Sequence, residues 1–136
     1  MGNISTHITF EEAILSPTAL RLGIDNQPNN AQLNNMEKVA DFCFEPLRKW
    51  YGKPIKINSF FRCDALNKAV KGSKTSQHCT GEAMDISAGS KEENKKLFDW
   101  CKANLYFDQL INEYDYSWVH ISYKMSGNRN MTLIIS

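Results

Sequence analysis

Several side chains in this sequence have types and spacings suited to catalysis at a metal. His78 and Asp85 stand seven residues apart in Ser76-Gln-His-Cys-Thr-Gly-Glu-Ala-Met-Asp-Ile86, with Gly81 between them. Asp85 lies in an apolar-looking segment, Ala83-Met84-Asp85-Ile86, where a carboxylate is costly to bury unless it is paired or binds a metal. The 136-residue chain holds three histidines. His7 lies outside every motif and reads as a surface residue, which leaves His120, in Ser117-Trp118-Val119-His120-Ile121-Ser122, as the imidazole that can join the pair. If Asp115-Tyr116 is a two-residue turn between strands, Glu113 falls opposite Trp118 and Ile111 opposite His120. Glu113, Trp118 and His120 then share one face, because side chains alternate along a strand. Any even-length loop keeps this parity and an odd one breaks it. Two imidazoles, one carboxylate and a spare carboxylate are the inventory of a catalytic zinc site, with three protein ligands, an open position and a general base. The mixed N/O donors suit zinc. The same residues also suit a salt-bridged Asp85 beside partly buried histidines, and taken alone they leave both readings open.

The elements that must position these groups are legible in outline. Thr9-Phe10-Glu11-Glu12 has the form of a capping box opening a short helix, which Ser16-Pro17 restarts and Gly23 ends. From Ala31 to Trp50, apolar residues recur every three or four positions (Leu33, Met36, Ala40, Cys43, Leu47, Trp50), which predicts one amphipathic helix kinked by Pro46. Ile55–Ser59 alternates as a strand, and a short helical stretch runs through Leu66 and Val70. After the loop Lys71–Lys74, residues Glu82–Ser87 form a second strand with Ala83, Asp85 and Ser87 on one face. Ser90-Lys91-Glu92-Glu93 predicts another capping box, opening a helix that turns Leu97, Trp100 and Cys101 inward; Trp50 is likewise assigned to the core. Phe107–Tyr114, Ser117–Tyr123 and Met131–Ile135 read as three strands in an antiparallel meander. Helices first, then strands with one helix between them, indicate an α+β fold: amino-terminal helices packed on a small, mainly antiparallel sheet in a single domain, residues 1–136.

Composition excludes other classes. A hydrophobic content of 42% and an aromatic content of 11% supply a core, so the chain is not disordered. Sixteen basic residues against fifteen acidic ones, with no long charge run, argue against nucleic-acid or membrane-surface binding. No apolar run approaches the roughly 20 residues of a bilayer span, and no basic-then-apolar export signal opens the chain, so cytoplasmic synthesis without export is expected. Met1-Gly2 with Thr6 matches the short myristoylation pattern, which is too brief to carry weight. Cys43, Cys63, Cys79 and Cys101 are too widely spaced for a CxxC-type zinc site. Reduced thiols are expected, with a Cys63–Cys79 disulfide as the alternative. A monomer is expected.

The pattern Ser76-x-His78-x-x-Gly81-x-Ala83-x-Asp85-Ile86, followed by Trp118-Val119-His120, resembles the zinc peptidases of the D-alanyl-D-alanine carboxypeptidase family. That group includes D-Ala-D-Ala dipeptidases and phage L-alanyl-D-glutamate endolysins. Ser59-Phe60-Phe61-Arg62 stands where the family has Ser-Gly-Tyr-Arg, and Leu66-Asn67 follows as it does there. Ser16–Gly23 and Pro46-Leu47-Arg48 are similar to the small single-domain bacterial and phage branch, so the resemblance covers most of the chain. It implies a fold shared with these peptidases and the Hedgehog signalling domain. It implies one zinc ion per chain on His78, Asp85 and His120, and hydrolysis of peptidoglycan stem peptides as a carboxypeptidase or endopeptidase. It also implies that Arg62 polarises the scissile carbonyl or holds a substrate carboxylate, with Ser76 as a substrate contact and Ser59 and Trp118 as neighbouring candidates.

Two positions depart from the family pattern. Many relatives carry an acid three residues before the last histidine, where this chain has Ser117; Glu113 is therefore the expected base and Asp115 the alternative. Phe60 replaces a glycine and is expected to reshape the pocket beside Arg62. The competing reading is a non-catalytic zinc-containing module that binds cell wall or a partner on the same fold. An enzyme of this kind would meet its substrate after release during phage lysis, or act on wall fragments in the cytoplasm.

Overall fold

Local signals set the helix ends in the computed structural model, which describes residues 2–136; Met1, with the start of the myristoylation pattern, lies outside them. Helix α1 (Phe10–Ile14) opens on the expected capping box, Glu12 N donating to Thr9 Oγ1 at 3.1 Å and Thr9 N to Glu12 Oε1 at 2.7 Å. Helix α2 (Pro17–Leu22) is capped by Ser16, has Pro17 in its first turn and stops at Gly23. Helix α3 (Asn30–Val39) starts on a capping box formed by Asn29 and Gln32, which the sequence reading did not anticipate. The single helix expected over 31–50 divides into α3, a π-helical segment (Ala40–Phe44) and α4 (Glu45–Tyr51). Pro46 accounts for the division: it has no N–H and its ring would strike the carbonyl four residues back. The wider turn just ahead of it, with Glu45 N reaching Ala40 O, relieves the clash.

Strand β1 (Lys56–Ser59), helix α5 (Asp64–Ala69) and strand β2 (Ala83–Ser87) follow. Helix α6 (Lys91–Asn104) begins at Ser90, whose Oγ accepts from Glu93 N at 3.1 Å. Only this half of the expected box is made. The Glu93 carboxylate is engaged instead by Tyr51 Oη at 2.7 Å and Lys96 Nζ at 2.6 Å.

Strands β3 (Gln109–Glu113), β4 (Trp118–Ser122) and β5 (Met131–Ile135) complete a sheet of order β1-β2-β4-β3-β5. The first four strands pair antiparallel, but β5 runs parallel to β3, so the meander expectation is corrected. Strand β4 already has β2 on one side and β3 on the other. The chain leaving Ser122 must therefore pass the start of β3 and use its free edge, with Met131 beside Gln109. Met84, Ile86, Leu110, Val119 and Ile121 join one core with Met36, Phe44 and Leu47 of the long helical segment and Leu97 of α6. Each such burial contributes about 1.5–3 kcal/mol relative to exposure.

Trp50 is not core. It is 47% exposed and stacks on half-buried Trp100, ring centroids 5.3 Å apart, where α4 runs past the edge of the core. All four cysteines are free thiols, and burial pushes Cys43 up to about 12. Among the described residues no helix is long and apolar enough to cross a membrane.

Candidate metal centre

The turn before β2 positions His78, and Gly81 makes that turn possible. Gly81 has φ +81°, and a Cβ there would come within 2.4 Å of the Gln32 carbonyl on α3. No side chain fits. Helix α3 grips the turn on either side: Gln32 Nε2 donates to Cys79 O at 3.1 Å and Asn35 Nδ2 to Thr80 O at 3.0 Å. The segment after β1 is tied to the same turn, since Arg62 N donates to His78 O at 3.2 Å and His78 Nδ1 meets Phe60 O at 2.7 Å.

Asp85 and His120 face each other across the β2–β4 ladder, and Ile111 and Glu113 of β3 lie opposite His120 and Trp118. The parity expected for the hairpin is thus present, but its connection is the four-residue loop Tyr114–Ser117 instead of a two-residue turn. Tyr114, Asp115 and Tyr116 all have positive φ, at 52°, 55° and 59°. Such conformations cost roughly 1–2 kcal/mol per non-glycine residue. Tyr116 N donates to Asn112 Oδ1 at 2.6 Å, and buried Asn94 donates to Tyr116 O at 2.8 Å, which offsets part of that strain. The loop turns Asp115 away from the cluster: its side chain is 79% exposed and pairs with Lys91 Nζ at 3.1 Å. Asp115 is therefore not at the site, which corrects the alternative base. Ser117 is also in the loop, its Oγ donating to Tyr114 O at 2.6 Å.

Three donor groups converge. His78 Nε2 lies 3.2 Å from Asp85 Oδ2, and His120 Nδ1 lies 3.0 Å from Asp85 Oδ1. The His78 and His120 rings meet edge to face at 5.2 Å. Burial pushes the Asp85 carboxyl up, but its contacts with His120 and His78 more than offset this and hold it below the usual carboxylate range. Glu113 stands beside the cluster, with Oε2 4.0 Å from His120 Nδ1 and accepting from Trp118 Nε1 at 2.9 Å.

The donor set fits a cation. Phe60 O can only accept, so the hydrogen-bond network assigns a proton to His78 Nδ1, which donates to it, and the ring's other nitrogen, Nε2, faces an Asp85 oxygen. Two acceptors 3.2 Å apart repel unless a proton or a cation lies between them. His78, Asp85 and His120 each offer one ligand atom, all within 4.8 Å of one another, and two imidazole nitrogens with a carboxylate oxygen are a donor set that zinc takes.

The cluster forms part of the wall of a cavity of about 750 Å³, which Arg62, Ser76, Glu113 and Trp118 also line. Arg62 Nη2 approaches Ser76 Oγ at 3.4 Å, while its Nε is buried with no acceptor. Ser76 Oγ also accepts from His78 N at 3.2 Å, so this hydroxyl braces the turn. Ser59 does not line this cavity; it lies opposite Asp85 on the β1 side and borders a smaller one of about 250 Å³.

The Peptidase M15 family model matches residues 6–122, most of the chain and every residue of the cluster. The chain belongs to this family. No curated protein matches it. M15 peptidases are zinc-dependent, and among the described residues of this M15 peptidase His78, Asp85 and His120 form a group that could hold a metal.

One network in this M15 peptidase was not foreseen. Asp108, at the foot of β3, is fully buried and accepts from Arg129 N, Nε and Nη2 at 3.1, 2.9 and 2.7 Å, and from Gln77 Nε2 at 2.9 Å. Like Asp85, Asp108 is an acid set among apolar residues, Phe107 and Leu110, of an expected strand, and the cost of burying it unpaired is the signal that marks it in the sequence.

Proposed function

We propose that this M15 peptidase hydrolyses peptide bonds in peptidoglycan stem peptides, with one zinc ion held by His78, Asp85 and His120. The observation that carries the reading is a second carboxylate, Glu113, poised 4.0 Å from His120 at the same cavity wall as the cluster. Zinc held there supplies a Lewis acid, which lowers the pKa of water toward about 7 and polarises a carbonyl. Glu113 takes a proton from the attacking water and delivers it to the leaving amine. The Trp118 indole N–H holds one Glu113 oxygen and leaves the other free for that transfer. Arg62, which lines the cavity, binds the carbonyl oxygen or a substrate carboxylate as a charged, planar donor. Ser76 holds the Arg62 guanidinium and the His78 turn in register, and Trp118 walls the cavity. The substrate would be met after lysis-linked release or as wall fragments in the cytoplasm.

Digestion of purified sacculi, with the new termini identified by mass spectrometry, tests the reading and names the bond cut. Cleavage at D-Ala-D-Ala or L-Ala-D-Glu is expected, lost in His120→Ala together with stoichiometric zinc. Glu113→Gln should keep zinc while kcat falls by about 10²–10⁴. Zinc bound without turnover of any stem peptide would favour the wall-binding module, for which the absence of an acid at Ser117 is the motivating feature.

A further inference from the structure

We propose that Arg129 is a specificity-determining residue that binds a carboxylate of the substrate in the cavity next to the metal cluster, so that the protein selects peptides carrying a free acid near the scissile bond. The proposal rests on the peptidase reading and adds to it a residue beyond 122, where the family match ends. Arg129 sits in the loop between β4 and β5, lines the same cavity as His78, Asp85, His120 and Glu113, and leaves 48% of its side chain exposed.

Its guanidinium is pre-set. Nε and Nη2 bind the two oxygens of Asp108, and Gln77, the residue before His78, donates to Asp108 from another side. An arginine side chain has five N–H donors, so the Asp108 pair leaves three without a protein acceptor among the described residues. Because a buried carboxylate already fixes the fork, a ligand meets little ordering cost there.

The charge around the cavity favours an anion. Its three carboxylates are all engaged: Asp85 by the imidazoles, Asp108 by Arg129 and Gln77, Glu113 by Trp118. Lys71 and Lys124 line the same wall, and neither makes a salt bridge among the described residues. Four basic side chains, Arg62, Lys71, Lys124 and Arg129, line this cavity and outnumber those three carboxylates, so the side-chain charge around it is positive, and an arginine fork binds a carboxylate with two parallel hydrogen bonds. A purely structural Arg129–Asp108 pair would pin the β4–β5 loop but would not distinguish a carboxylate ligand from its amide.

That distinction is the test. Two synthetic L-Ala-D-Glu-containing stem peptides, one with the free α-carboxylate of D-Glu and one with its α-amide, are titrated calorimetrically into the zinc-loaded full chain. Recovered peptide is then checked for cleavage by mass spectrometry. The expected result is a preference of about 10–100-fold for the carboxylate form. Arg129→Gln should abolish the preference without weakening binding of the amide, and Arg129→Lys should restore part of it. Lysine also keeps a cation for Asp108, so that variant decides the matter if Arg129→Gln does not fold. No preference in the unaltered protein, a preference that survives Arg129→Gln, or a preference untouched in Arg129→Lys where that variant alone folds, would overturn the proposal. Cleavage speaks to the peptidase reading separately: preference without cleavage of either peptide sustains the role of Arg129 and counts against hydrolysis.

Discussion

Replacing Gly81 with alanine should unseat the turn that carries His78. The new Cβ would stand 2.4 Å from the Gln32 carbonyl, so α3 must retreat by about 1 Å to reach ordinary contact. The positive φ adds roughly 1–2 kcal/mol of backbone strain for any residue with a Cβ. The forced separation adds about 1–3 kcal/mol in the manner of an overpacked core. It also stretches the Gln32–Cys79 and Asn35–Thr80 hydrogen bonds. The sum, about 2–5 kcal/mol, is a large share of the roughly 5–15 kcal/mol that holds a domain folded. It corresponds to a Tm lower by about 7–17 °C. Gly23→Ala is the control: φ there is +68°, yet nothing lies within 4 Å of the added methyl, so only the backbone part, about 1–2 kcal/mol, applies. Urea melts of both variants measure the difference, and a zinc titration of folded Gly81→Ala should show weakened affinity because the His78 turn has moved. If Gly81→Ala costs no more than Gly23→Ala, the close approach of α3 to the turn is not what holds His78, and the reasoning fails.

Metal removal should act on stability as well as on activity. Zinc that binds only the folded chain at 1,000 times its Kd adds about 4 kcal/mol, so a chelator should lower Tm in scanning calorimetry, and an unchanged Tm would argue against a zinc site in the folded state. The bonds from Arg129, aided by Gln77, hold the Asp108 carboxyl down at about 2, against about 3.9 when unfolded. Its contribution is thus fully present above about pH 4 and lost as pH falls through about 2. Asp108→Asn should be less stable than the parent at neutral pH, with the gap closing on acidification. A gap that stays constant from pH 6 to 2 would contradict this. On the edge strand β5, Ile134 is 75% exposed, so Ile134→Lys should change stability by less than about 0.5 kcal/mol, and a larger loss in urea melts would contradict its exposure.

Features decided by neighbouring residues were legible in the sequence. The Thr9–Glu12 box, the Ser16-Pro17 restart and the hairpin parity that faces Glu113 and Trp118 alike follow from chemistry within a few positions. The family motif, carried by residue types at fixed spacing, pointed to His78, Asp85 and His120. Features decided by distant partners were not legible. Glu93 could reach back to Ser90 but finds Tyr51 and Lys96 in three dimensions. Trp50 keeps the helical period of the core yet falls where α4 has outrun it. The parallel course of β5 depends on β4 having both edges occupied, which no local pattern encodes. Asp115, closer to His120 in sequence than Glu113 but expected in the turn, is carried toward Lys91 by three left-handed residues.

The pairing of Asp85 with His120 also sets an order of events when the chain is made. The two residues are 35 positions apart and meet only when β4 docks beside β2. At synthesis rates of about 5–20 residues per second, Asp85 is made roughly 2–7 s before His120 and His78 slightly earlier still. Contacts of such sequence separation close late, because the loop entropy must be overcome before they form. A chain cut short before Trp118 lacks the strand that completes the cluster. Assembly of the cluster is thus tied to completion of the sheet centre, and only a molecule that has finished folding there presents all three groups together.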